Sequence, residues 1–312
     1  MSLNEKSIYT YSYRPEEFQL CKLEMRAFFG TDSASGTIES SIQVDPSRSP
    51  FMKERLDVLL ECHSVEEVIE NLDQLPINEK TFKVVFVKNP ANDKWAFTER
   101  RSIERKIGLK MDGEVDLEKP QQLFGITYLN GMWLFGQLFM STSIWLSHHN
   151  KPHGYSTALS PRLARSIVNI AIPDPTGVKA IDPCCGIGTV LIEASSMDIT
   201  IEGSDINHRV VYRAKENLAH FGYETDVVLA DMKQTKEKFD VAIIDMPYNL
   251  CSVVSDEEQL QMFRSARNFA KRVVIVTIDP VDNIIIDAGF SIVDRCKAGK
   301  NHYFFREVLV CE

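Results

Sequence analysis

Apolar positions follow two different spacings along the chain. In the second half, short apolar runs without polar alternation recur between amphipathic stretches: Val178–Ile181, Thr200–Gly203, Thr225–Leu229, Phe239–Ile244, Arg272–Ile278, Phe290–Arg295 and Tyr303–Val310. Strands of this kind are covered on both faces, which predicts a mostly parallel sheet with helices above and below. Residues 296–302 are too few for a helical crossover, so the last two runs must pair antiparallel. The expected architecture is α/β, with a seven-stranded, mostly parallel sheet.

The first half mixes the two periods. Ile8–Tyr13 alternates as a strand. Pro15 then opens a helix with Phe18, Cys21, Met25 and Phe29 on one face, and Gly30 ends it. A second helix is predicted after Ser49-Pro50, with Leu56, Leu59 and Leu60 inward, and a third behind the capping box Ser64-x-x-Glu67. Val84–Val87 reads as a strand and Arg100–Leu109 as a charged helix. The uncharged stretch Gln121–Ser147 imitates a membrane span, but Asn130-Gly131 between alternating apolar runs predicts a two-residue hairpin instead. These elements describe a smaller α+β domain over residues 1–147, followed by the α/β domain over 148–312.

Composition adjusts this picture in three ways. At 312 residues and 44% hydrophobic, the chain can fill two cores. With 35 basic against 44 acidic residues, a net of −9, it repels phosphate at long range, so any nucleic-acid contact must be a local patch. Arg100, Arg101, Arg105, Lys106 and Lys110 form the densest such patch. They read equally as an RNA-backbone contact or as a solvated helix face interleaved with Glu99 and Glu104. The seven cysteines are scattered and form no C-x-x-C pair, and Met1–Thr10 is polar where a secretory signal is apolar. A reducing cytoplasm is therefore expected. His148, His149 and His153 lack ligand spacing, so no metal is expected and a linker is predicted there. A monomer without membrane attachment completes these expectations.

The candidate chemistry lies at the ends of the predicted strands. Asp182-Pro183-Cys184-Cys185-Gly186-Ile187-Gly188-Thr189 follows the first strand of the second half and runs into a helix, a turn in which backbone amides can approach a ligand closely. The second strand ends at Asp205-Ile206, where a carboxylate can take both hydroxyls of a ribose or cap the following helix. The third ends at Asp231-Met232, suited to an adenine amino group and ring. The fourth stops at Asp245-Met246-Pro247-Tyr248. An exocyclic base amine is a poor nucleophile because its lone pair is delocalised into the ring. If Asp245 and the Met246 carbonyl each accept one N–H, the lone pair is held toward an electrophile, while Tyr248 stacks on the base. Cys184 and Cys185 have no neighbouring base in sequence and read as buried turn thiols.

Asp182 to Ala194 together with Asp245-Met246-Pro247-Tyr248 resemble the THUMP-associated RNA methylases. The stretch Tyr155–Arg165 is similar to the helix that precedes that family's catalytic domain. Arg105–Gly108 and Val115–Pro120 resemble the end of a THUMP domain, and residues 1–73 its ferredoxin-like companion. The resemblance implies a class I methyltransferase fold and S-adenosylmethionine as donor. Asp182, Pro183, Cys184, Gly186, Gly188, Thr189, Asp205, Ile206, Asp231, Met232 and Ser160 would hold that donor. It further implies methylation of guanosine N2, with tRNA as partner. Ribosomal-RNA guanine-N2 and DNA adenine-N6 methylation share the same Asp-x-Pro-Tyr chemistry. A rival of another class is a non-turnover RNA-binding protein that keeps the sheet.

Overall fold

The computed structural model describes residues 6–75, 80–89, 95–247, 254–301 and 304–312. They form two compact units, Met1–Ser12 with Asp32–Thr142, and Tyr13–Thr31 with Ser143–Glu312. Through residue 142 the chain runs β1 (Ser7–Tyr11), α1 (Phe18–Phe29), β2 (Thr37–Ser40), β3 (Met52–Cys62), α2 (Val65–Glu70), β4 (Phe82–Phe86), α3 (Phe97–Gly108), β5 (Gln122–Leu129) and β6 (Met132–Met140). All of these except α1 belong to the first unit.

The first unit is one six-stranded sheet in the order β2-β1-β3-β6-β5-β4, antiparallel apart from the β4–β5 pair. Val68 of α2 with Ile103 and Ile107 of α3 packs on Phe82, Phe124, Ile126 and Phe135 of the sheet. β5 and β6 are the expected hairpin. Asn130 (φ 52°) and Gly131 (φ 87°) both occupy the left-handed region that a two-residue turn of this twist requires. Among the described residues no helix is long and apolar enough to cross a membrane.

The helix predicted after Ser49-Pro50 is the eleven-residue strand β3. Its register against β6 shifts between Val58 and Leu60, so a bulge lets adjacent Leu59 and Leu60 pack against the same core. Leu56 and Val58 pack instead with Leu134 and Leu138 on the opposite face, so the i, i+3, i+4 spacing of Leu56, Leu59 and Leu60 imitates a helix without the three sharing a face. Gly136 lies opposite the bulge, and a Cβ there would stand 1.9 Å from the Asp57 carbonyl oxygen. The close strand approach therefore depends on that glycine.

From residue 161 the chain alternates α4 (Pro161–Ala171), β7 (Ala180–Asp182), α5 (Thr189–Ser195), β8 (Ile201–Asp205), α6 (His208–His220), β9 (Val227–Leu229), β10 (Phe239–Asp245), α7 (Asp256–Phe269), β11 (Ala270–Thr277), α8 (Asp282–Asp287), β12 (Ile292–Asn301) and β13 (Phe304–Cys311). The sheet order is β12-β13-β11-β10-β7-β8-β9, parallel from β9 to β11, with β13 antiparallel to both β11 and β12. All seven expected strands are present. Reversal of strand order at β7 leaves a crevice beyond the carboxyl ends of β7 and β10, where ligands of open α/β sheets bind.

Helix α1 departs from the expected amino-terminal domain of 1–147, because residues 13–31 cluster with the second unit. It buries Leu20, Leu23, Met25 and Phe28. Its polar contacts lie in the same unit: Asn169 Nδ2 donates to Glu24 Oε1 at 2.6 Å, and Arg26 pairs with both oxygens of Asp294 at 2.8 Å. Arg162 donates twice to Glu17. The other boundary falls after Thr142 rather than after residue 147. Helical periodicity reports that one face is buried, and it carries no information on which sheet buries it.

Candidate active site

The carboxyl ends of β7, β8 and β10 open into a cavity of about 420 Å³. Asp182, Pro183, Cys184, Cys185, Gly186, Ile187 and Thr189 form one wall, and Asp205, Ile206, Asn207 and Val210 a second. Asp231, Met232 and Lys233, then Asp245, Met246 and Pro247, complete the strand ends. Tyr155, Thr157, Ala158 and Leu159 contribute from before α4, and Val254, Glu258 and Met262 from the start of α7. Candidates from four separate strand ends thus share one cavity.

The turn after β7 is built by backbone geometry. Gly186 (φ 53°) and Gly188 (φ 81°) are left-handed, a conformation that strains residues with a side chain. A Cβ on Gly188 would also press on Ala214 of α6 at 3.2 Å. Asp182 Oδ1 accepts the Cys184 N–H at 3.2 Å. Asp205 accepts the Gly186 N–H on Oδ2 at 3.0 Å and the Asn207 N–H on Oδ1 at 2.8 Å, so it clamps the glycine turn to the end of β8. The cap of α6 is Asn207, whose side chain accepts from Arg209 N–H.

Elsewhere in the cavity, Asp231 accepts the Lys233 N–H at 2.9 Å. The Cys184 thiol lies 3.8 Å from the sulfur of buried Met232. Beyond β10, the Met246 N–H donates to Val276 O at 2.9 Å, which extends the β11 pairing and fixes the backbone beside Asp245. Met246 is buried and Pro247 exposed. Tyr248 lies outside the described residues.

Burial holds the Asp182 carboxyl well above the usual carboxylate range, with the charges of Asp245 and Asp205 adding to the rise and the Cys184 N–H opposing it. Burial also pushes up both thiols, Cys184 and Cys185, as do the neighbouring carboxylates. Thiols held in the protonated form in this way are weak nucleophiles. Thr189 Oγ1, on the cavity wall, is buried without a hydrogen-bond partner among the described residues. Among the described residues, a cavity lined by Asp182, Asp205, Asp231, Asp245 and Glu258 against Lys233, with the Thr189 hydroxyl unpartnered, fits a cationic, polar ligand. S-adenosylmethionine, which carries a sulfonium and an ammonium group, meets that description.

Two candidates do not line the cavity. Gly188 sits behind it as the N-cap of α5, and the Ser160 hydroxyl caps α4 by accepting the Leu163 N–H at 3.3 Å. Only the second half of the stretch read as a preceding helix is helical, and residues 155–159 form cavity wall instead. Ser160-Pro161, a cap followed by proline at the first helical position, was the signal for that boundary. His148 is not a linker residue: it is buried, with Nδ1 2.7 Å from Glu193 Oε1.

In the first unit, Arg101, Arg105, Lys106 and Lys110 are exposed and Arg100 is half-buried. Arg101 pairs with Glu104 at 2.7 Å and stacks over Phe97, itself 64% exposed, while Lys106 stands 3.7 Å from Glu66. Among the described residues no cluster of His, Cys, Asp and Glu is placed to hold a metal ion.

This strand order, with a glycine turn after β7 and carboxylates closing β7, β8 and β10, defines a class I methyltransferase, the class whose donor is S-adenosylmethionine. The family model of the RMKL-like methyltransferase domain matches residues 148–277. A tRNA (guanine(10)-N2)-dimethyltransferase of Methanothermobacter thermautotrophicus is 32% identical over 237 residues, covering 68% of each chain. An enzyme of the same name from Methanocaldococcus jannaschii is 26% identical over 215 residues, covering 62% of this chain and 61% of its own. The chain belongs to this family of RMKL-like methyltransferases. Its fold is shared with TrmN from Thermus thermophilus, at a TM-score of 0.50 and 16% identity over 98% of this chain and 99% of that one.

Proposed function

We propose that the protein transfers a methyl group from S-adenosylmethionine to the exocyclic N2 of a guanosine in tRNA. The carrying observation is that Asp245 and Met246, at the end of β10, share one cavity with Asp182, Asp205 and Asp231. The names of the archaeal relatives favour tRNA over ribosomal RNA and DNA. When bound, the donor supplies an electrophilic methyl on a sulfonium. Asp205 would take the ribose hydroxyls, Asp231 and Met232 the adenine, and Thr189 a polar group of the methionyl end. Asp245 and the Met246 carbonyl accept the two N–H groups of the amine, so the nitrogen lone pair is directed at the methyl. Tyr248 supplies a ring for the base, which must leave its helix to enter such a pocket.

The basic face of α3 is the part of the first unit proposed to grip the RNA backbone, in a monomeric protein of the cytoplasm. The six described cysteines are free thiols, which accords with that compartment. Reversing Arg100, Arg105 and Lys110 is expected to weaken RNA binding and flatten its salt dependence, leaving donor affinity alone. The deciding experiment incubates the full chain with labelled S-adenosylmethionine and, in parallel, unmodified total tRNA, ribosomal RNA and DNA, followed by nucleoside mass analysis. N2-methylated guanosine from tRNA is expected. Label confined to DNA adenine, or absent throughout, overturns the reading.

A further inference from the structure

We propose that Asn217 and Arg306, neither of which lines the cavity, are positioning residues that hold the strap of residues 153–159 in place as its wall. The inference rests on reading the cavity as the donor site. The strap contains no helix or strand, so no ladder of backbone hydrogen bonds fixes it. Within it, the Ala158 N–H closes a turn on Tyr155 O at 3.2 Å. Yet Thr157, Ala158 and Leu159 must keep their places for the cavity to keep its shape.

Asn217, on α6, is fully buried. Its Oδ1 accepts the His153 N–H at 2.9 Å and its Nδ2 donates to His153 O at 3.1 Å, so the side-chain amide pairs with the strap as a neighbouring strand would. The second Nδ2 hydrogen serves Ile187 O at 2.9 Å, between the two glycines of the turn after β7. One side chain therefore ties two cavity walls, the strap and the glycine turn, to the same helix. That helix already meets the turn where Ala214 backs Gly188. Only an amide of this length offers an acceptor and two donors at once. Farther along the strap, Arg306 of β13 is 6% exposed, and its Nη2 donates to Thr157 O at 2.9 Å. The strap is thus held at His153 by α6 and at Thr157 by the β12–β13 hairpin. Ser160 then starts α4 immediately beyond.

An aspartate at 217 keeps the shape but has no N–H to give, and turns an oxygen toward the carbonyls of His153 and Ile187. The test uses the full chain, with S-adenosylhomocysteine as calorimetric probe and steady-state methylation of RNA. Asn217→Asp is expected to raise the Kd for the probe and the KM for the donor by roughly ten- to a hundredfold, the scale of losing two buried hydrogen bonds. KM should rise by a larger factor than kcat falls. Arg306→Met should raise both by roughly tenfold, with Arg306→Lys recovering part of the loss. A merely structural role would lower the melting temperature and the binding stoichiometry but leave the Kd of the folded fraction unchanged, and that result overturns the proposal. If Asn217→Asp does not fold, Arg306→Met decides by the same criterion, an unchanged Kd again overturning the strap's role. Failure of the wild-type protein to bind the probe overturns the donor-site reading itself, which separates the two.

Discussion

Helix α5 is bordered by two collections of buried charge that are treated in opposite ways. On its body, Glu193 is fully buried and fully answered: Arg165 Nη1 donates to one oxygen at 2.9 Å, and His148 Nδ1 lies 2.7 Å from the other. Arg165 also reaches Ser196 Oγ at 2.8 Å, and Tyr223 stands 3.4 Å from the far His148 nitrogen. At its amino end, Asp182 is almost as buried, but its described neighbours are more carboxylates and one backbone N–H. Where buried charge serves the fold, the chain provides the counter-charge. Where it faces the cavity, the described residues bring mainly carboxylates, a lining that suits the proposed cationic donor.

The largest effect should come from breaking the satisfied cluster. Arg165→Met leaves Glu193 short of its strongest partner and should cost about 3–5 kcal/mol in denaturant unfolding, whereas replacing Arg165 and Glu193 together by Met should return most of it. Equal instability of the single and paired variants would contradict the assignment of Glu193 as a structural charge. On the open side, Asp245→Asn should lower the single-turnover methylation rate at saturating donor by about two to three orders of magnitude, with donor affinity hardly moved. A wild-type rate would reduce Asp245 to a strand end. Asp205→Ala should weaken donor binding by roughly 1–3 kcal/mol in calorimetry, since it removes a charged acceptor and frees the Gly186 N–H that it clamps.

The smallest effect is a pH dependence. The Asp182 carboxyl is raised by burial above its unfolded value, so the empty native protein holds this proton more tightly than the unfolded chain does. Its contribution to stability is complete below the ordinary carboxylate range, and is lost as pH rises from that range through the raised value. Asp182→Asn should flatten the fall of melting temperature over this window. Donor binding, which brings positive charge to the ionised form, should protect the wild type more at the upper end than at the lower. An identical slope in both proteins would place the titration elsewhere.

The two sheets differ in how openly they announce themselves. Unbroken apolar runs such as Val241–Ile244 have one reading, because a strand covered on both faces needs no alternation, and the seven strands of the second unit follow from such runs. In the first unit the bulge opposite Gly136 puts adjacent Leu59 and Leu60 on one face of the sheet, with Leu56 on the other. A local pattern could not reveal a distortion that exists only against a partner strand. Similarly, the spacing along α1 showed a buried face and a glycine stop, but not that Glu24 would meet Asn169, 145 positions away.

The strand-end carboxylates Asp182, Asp205, Asp231 and Asp245 and the glycine turn are legible along the chain, because short-range chemistry is written in neighbouring residues: a strand must stop, a turn must bend, and a carboxylate there has few uses. Which distant groups meet that cavity emerges only on folding. Asn217 looks like any polar residue in an amphipathic helix, Arg306 like any charge in a terminal strand, and Tyr155 to Leu159 like the beginning of a helix. Their roles arise from hydrogen bonds and cavity walls shared between parts of the chain that meet only after folding, and such meetings leave no period and no spacing to read.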